Sequence, residues 1–255
     1  MNWRVTSASV LGTSHLKSNT GCQDSHAVRV CSSGDEDLLF CVVSDGAGSA
    51  PRSSEGSRRT CDSLVETVQN WWDAGGREPA EADVRGWLFE ASAAITALAE
   101  PEGLHPKLFA CTVVGAVVGG SGALYFQVGD GGIVTGGAEK YSVVFWPADS
   151  EALNLTDFLT DEHWPDHLQI VSAETPPSEL ALFTDGIQLQ VLDYANRSPH
   201  SPFFQKMFAQ LSAWQDSQLD QLNDALTAYL SSEVFNDKTD DDKTLVLAAK
   251  RRNPK

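Results

Sequence analysis

Apolar residues in this chain fall into short runs separated by polar turns, and several runs end on an aspartate. Residues 40–43, Phe-Cys-Val-Val, have the length and β-branched content of a buried strand. Residues 3–11, 109–118, 123–128, 179–184 and 244–249 read as strands on the same grounds. Gly119-Gly120-Ser121-Gly122 predicts a hairpin between two of them. Residues 133–136 and 141–146 are expected to continue it as an antiparallel meander. A strand block without intervening helices argues against a parallel Rossmann sheet.

Helical periodicity marks four further stretches. Cys61, Leu64, Val65, Val68, Trp71 and Trp72 share one face, with Ser53 or Ser54 as the expected N-cap and Gly75-Gly76 as the stop. Val84, Trp87, Leu88, Ala91, Ile95 and Leu98 form a second stripe, ending before Pro101. Phe203 or Phe204, Met207, Phe208 and Leu211 begin the third. Leu219, Leu222, Leu226, Tyr229 and Leu230 make the fourth. These are core-packing faces, so helices are expected to cover a sheet. Residues 193–202 read as loop.

Composition narrows the function classes. The chain has 255 residues, 42% of them hydrophobic, enough for one sizeable core. No repeat or linker divides it, so one domain is expected over 1–255. A formal charge of −17 disfavours nucleic acid or an anionic membrane as partner. Five cysteines, an odd count without a CxxC pair, indicate neither a zinc ribbon nor a disulfide framework. The N-terminal residues lack the charged start and apolar core of a signal peptide, and no run reaches transmembrane length. A cytoplasmic location is the expectation.

The candidate chemistry lies in the aspartates. Asp45-Gly46 closes the run 40–43, Asp130 follows the run 123–128, Asp185-Gly186 follows 180–184, and Asp241 and Asp242 precede 244–249. Asp24 is a fifth, after the first strand. Gly46 lets the chain turn so that its carbonyl can point with the Asp45 side chain, a pair of hard oxygens suited to a divalent cation. Any one of these sites reads equally well as a hairpin turn. Bunched carboxylates repel unless cations or protons compensate them, so several at strand ends are what a two-metal hydrolytic site needs.

The ordered set Gln23-Asp24, Asp45-Gly46-Ala47-Gly48, Val128-Gly129-Asp130-Gly131, Thr184-Asp185-Gly186-Ile187 and Asp241-Asp242-Lys243-Thr244 resembles the metal-dependent type 2C protein phosphatases, in their small bacterial branch. The resemblance spans about residues 3–249. It implies an α+β fold, a β-sandwich of two antiparallel sheets flanked by helices on both outer faces. It implies two Mn²⁺ or Mg²⁺ ions about 4 Å apart, bridged by Asp45, with Asp185 and Asp241 on one and the Gly46 carbonyl on the other. Asp24 and Gln23 would act through waters, and a water between the ions would attack phosphoserine or phosphothreonine. Asp130 and Asp185 would serve a third ion, although Leu189 stands where relatives often have another aspartate.

Two further departures matter. The phosphate-binding arginine of the family falls on Asn19, which leaves His15, Lys17, Arg52 and Arg58 as candidate substitutes. Ala47 replaces a histidine proposed as general acid in some members, so a leaving-group proton would come from elsewhere, His15 included. The resemblance also implies a flap-like segment at about residues 147–177. The implied partner is a phosphorylated protein, from a cognate serine/threonine kinase or its targets. A catalytically silent binding domain and a two-metal hydrolase of small phosphate esters are the competing readings.

Overall fold

The computed structural model describes residues 3–18, 20–34, 36–137, 140–146, 156–214 and 218–251. Asn19, residues 147–155 of the expected flap and the basic tail after Arg251 lie outside them.

Ten of the described strands form two five-stranded antiparallel sheets. The first contains β1 (Trp3–Val10), β12 (Lys243–Lys250), β9 (Glu179–Phe183), β6 (Gly132–Gly137) and β7 (Lys140–Val143), in that order. The second runs β2 (Ser25–Ser33), β3 (Glu36–Ser44), β4 (Val113–Val118), β5 (Ala123–Val128) and β8 (Gln169–Ala173). The expected sandwich is therefore observed.

The unbroken apolar runs follow from burial on both faces. On β3, Leu39, Cys41 and Val43 point between the sheets, where they meet Ile133, Leu180, Leu182 and Val246. Leu38, Phe40 and Val42 point outward onto α2 (Ser53–Asp73) and α3 (Glu81–Ala99), against Leu64, Val68, Trp87 and Leu88. The first sheet repeats the pattern. Its outer residues Phe183, Leu245 and Leu247 pack under α6 (Ser201–Ala213) and α7 (Leu219–Leu230) through Phe204, Phe208, Leu222 and Leu226. Each fully buried Leu or Phe stabilises by about 1.5–3 kcal/mol, so four helical stripes hold both sheets rigid.

Three expectations need correction. The meander does not continue from β5 to β6, because β5 pairs with β4 and β8 while β6 pairs with β7 and β9. Gly129 and Gly131, at φ 94° and 116°, turn the chain from one sheet to the other. Helix α2 begins at Ser53, with Arg52 preceding it and no side-chain cap bond. Residues 193–202 include a small hairpin of β10 (Leu192–Asp193) and β11 (Ser198–Pro199). No described helix is long and apolar enough to cross a membrane.

Candidate metal centre

The aspartates of the sequence motifs meet at one end of the sandwich. Asp45 leaves β3 on a short stretch clamped by residues 110–112. Its N–H donates to the Thr112 hydroxyl at 3.0 Å, its carbonyl accepts from the Thr112 N–H at 2.8 Å, and the Ala47 N–H donates to the Ala110 carbonyl at 2.9 Å. Gly46 bridges to Cys111, and a Cβ on it would come within 2.8 Å of the Gln23 and Ser53 carbonyls. The close approach requires glycine.

Carboxylate oxygens of Asp45, Asp130 and Asp185 lie within 4.8 Å of one another. Asp130 stands between the two left-handed glycines, and its Oδ2 accepts from Thr156 at 3.1 Å. Asp185 opens the 3₁₀ turn Asp185–Ile187 directly after β9. Asp24 is buried beside them, its Oδ2 accepting from the hydroxyls of Thr184 and Thr244 at 2.7 Å each. Asp241 acts electrostatically on Asp45, Asp130 and Asp185.

Crowding and burial leave these carboxyls reluctant to ionise. Burial first, then the charges of Asp24 and Asp185, holds Asp45 well above the ordinary carboxylate range. Burial, then Asp130, Asp241 and Asp24, pushes Asp185 up to about 8. Asp24 is pushed up to about 6 by burial, which the threonine hydroxyls oppose. Burial also raises Asp130. A compensating ammonium nearby is that of fully buried Lys243, which donates to the Asp241 carbonyl at 3.1 Å and to Asn236 Oδ1 at 3.0 Å.

The donor set fits a hard divalent cation. It offers three carboxylates, without a thiolate or imidazole in the central trio. Cys22 is no exception, because burial and the charges of Asp242 and Asp24 keep its thiol protonated.

The candidate phosphate-binding side chains diverge. His15, on α1 (Thr13–Ser18), sits with Nδ1 at 2.9 Å from Asp242 and so borders the cluster. Lys17 is exposed on the same helix. Arg52 is held by Glu55 and, at 2.9 Å, by Glu102, with its guanidinium over the Phe109 ring. Arg58 is exposed on α2.

Asp242 is the residue that the sequence reading passed over. Its two carboxylate oxygens accept the N–H groups of Gly12 and Gln23, both at 2.6 Å, which ties the loop before Asp24 to the start of β12. An acidic triplet shows carboxylates but not which of them faces inward. Residues 156–168 lie beside Asp45: the Leu159 N–H donates to the Cys111 carbonyl at 2.9 Å, and Phe158 packs on Ala47, Ala50 and Ala110.

Comparison with known proteins places this arrangement. The family model of protein phosphatase 2C matches residues 11–231. The chain belongs to the protein phosphatase 2C family. It is 34% identical over 249 residues to serine/threonine-protein phosphatase 3 of Escherichia coli strain K12, covering 97% of this chain and 98% of that one. The fold matches a serine/threonine phosphatase of S. agalactiae, at TM-score 0.64 and 14% identity over 98% of this chain and 100% of the other. It also matches the catalytic domain of the phosphatase PstP, solved with two manganese ions, at TM-score 0.59 and 14% identity over 98% and 99% of the two chains. The expected family and fold class agree with these findings.

Proposed function

We propose that this protein phosphatase 2C member hydrolyses phosphoserine and phosphothreonine in proteins, using manganese or magnesium held by Asp45, Asp185, Asp241 and the Gly46 carbonyl, with Asp130 beside them. One observation carries this reading: Asp45, Asp130 and Asp185 bring their carboxylates within 4.8 Å of one another where burial penalises their charge. Bound divalent ions lower the pKa of a coordinated water and neutralise charge on the phosphoryl group.

The chain's own groups orient that chemistry. Asp24 is pinned by Thr184 and Thr244, so its remaining oxygen faces the cluster and can position water. Asp242 fixes the loop from Gly12 to Gln23, and His15 on that loop supplies an imidazole for phosphate contact or for protonating the leaving hydroxyl. Lys17 is the second candidate there. The Arg52 guanidinium, held by Glu55 and Glu102, serves structure rather than phosphate. Residues 156–168, bonded to Asp130 and Cys111, act as the inner part of a flap over one side of the pocket. Substrates come from a serine/threonine kinase reaction, and the five free thiols suit a cytoplasmic setting.

The test is release of phosphate from a phosphothreonine peptide. It is expected to require Mn²⁺ or Mg²⁺ and to be lost in Asp45→Asn. Turnover that persists in chelator, or in that variant, contradicts the reading.

A further inference from the structure

The space between the two sheets is apolar over most of its length and turns polar toward the carboxylate cluster. Trp3 and Val5 of β1, Val246 and Ala248 of β12, and Val28 and Val30 of β2 all face into it. Side chains alternate along a strand, so the same inner faces continue to Ser9, Thr244, His26 and, just before β2, Asp24. These polar residues stand where the pattern calls for apolar ones.

They are joined in one chain. His26 Nδ1 lies 2.8 Å from Ser9 Oγ, Ser9 Oγ lies 2.7 Å from Thr244 Oγ1, and Thr244 Oγ1 lies 2.7 Å from Asp24 Oδ2. The chain leaves the second sheet at His26 on β2, crosses Ser9 and Thr244 on neighbouring strands of the first, and returns at Asp24. The Asp24 carboxyl is itself within hydrogen-bonding reach of Asp45.

The acceptor at the end fixes the direction of every bond. An ionised carboxylate oxygen only accepts, so Thr184 and Thr244 each spend their single hydroxyl proton on Asp24. Thr244 Oγ1 can then only accept from Ser9, which uses the one proton of that hydroxyl. Ser9 Oγ must accept from His26, and the imidazole is left protonated at Nδ1. A carboxylate beside the cluster thus sets the tautomer of a histidine three hydrogen bonds away.

We propose that His26 and Ser9 are positioning residues for Asp24: their donor chain commits the Thr244 hydroxyl to Oδ2 and so holds the other carboxylate oxygen toward the reacting water. Hydrogen bonds in series polarise one another, and partners one step outside a metal centre are worth about ten- to a hundredfold in affinity or activity. The effect on turnover rests on the phosphatase reading, whereas the chain itself is read without turnover.

The experiment records ¹⁵N-resolved imidazole spectra, with and without Mg²⁺, at about pH 8, where burial keeps the His26 ring neutral. Native His26 is expected as the Nδ1–H tautomer. Ser9→Ala removes its acceptor, and Thr244→Val frees the Ser9 proton to turn back onto Nδ1. Both variants are therefore expected to show Nε2–H, the form a solvated imidazole prefers. Ser9→Thr keeps the hydroxyl and is expected to keep Nδ1–H. On p-nitrophenyl phosphate, kcat is expected to fall about tenfold in Ser9→Ala with KM little changed, and to recover in Ser9→Thr. A native Nε2–H tautomer, a tautomer indifferent to Thr244→Val, or a native kcat in Ser9→Ala overturns the proposal. So does a Ser9→Thr variant that keeps Nδ1–H yet loses as much kcat as Ser9→Ala. The expected tautomers in a protein that releases no phosphate from any ester support the chain and remove the phosphatase reading.

Discussion

The hydroxyl of Thr244 donates to Oδ2 of Asp24 at 2.7 Å, a contact between residues 220 positions apart in sequence. It joins the start of β12 in one sheet to the segment entering β2 in the other. The Thr184 hydroxyl donates to the same oxygen at 2.7 Å. Two neutral donors on one buried carboxylate oxygen favour its charged form and fix its rotamer.

Thr244→Val keeps the shape and removes one donor. It is expected to lower stability by about 1–3 kcal/mol in denaturant melts, since a buried carboxylate loses a partner. Adding Thr184→Val is expected to cost less than the sum of the two single changes, because both hydroxyls serve one oxygen. Strict additivity would mean that the two threonines act independently.

The carboxyl cluster sets a pH dependence for the metal-free protein. Asp185 titrates at about 8 and Asp24 at about 6 in the folded state, with Asp45 also raised, against an ordinary value near 4 for an unfolded aspartate. Between those values the folded state holds protons that the unfolded chain has released. Stability therefore falls as pH rises, by an amount on the order of a few kcal/mol across the cluster. In chelator, Tm is expected to be lower at pH 8 than at pH 5.5, and Mn²⁺ should raise it most at pH 8. A Tm in chelator that climbs over this range contradicts the crowding account.

Two glycines give a paired test of packing at the site. A Cβ on Gly186 meets the Asp242 carbonyl oxygen at 1.8 Å, whereas one on Gly86 meets nothing within 4 Å. Gly186→Ala is expected to displace the Asp241–Asp242 turn and reduce both Tm and phosphate release. Gly86→Ala lies within α3 and is expected to stabilise by about 0.5–1 kcal/mol with unchanged activity. Thermal melts and turnover on the two variants check both outcomes.

Much of this architecture was legible in the sequence because buried strands announce themselves. The runs ending at Asp45, Asp130 and Asp185 are apolar since both of their faces are covered, and the four helical stripes sit where their periodicity places them. Strands β2 and β8 were not legible. Each lies at an edge of the second sheet, half in solvent, so Ser-His-Ala-Val-Arg-Val and Gln-Ile-Val-Ser-Ala show no apolar run. The crossing at Gly129–Gly131 was hidden as well, because a glycine turn reads the same whether the next strand joins this sheet or the other one. The family resemblance supplied the grouping of the aspartates. It did not reveal that Asp242 spends both oxygens on backbone N–H groups, a fact of tertiary contact alone.

Isothermal titration of the metal-free protein with Mn²⁺ tests most directly whether divalent cations account for carboxylates gathered from across the chain. Binding of at least two ions is expected, with a marked loss of affinity in Asp45→Asn. Absence of binding, or the same titration in that variant, would contradict the account.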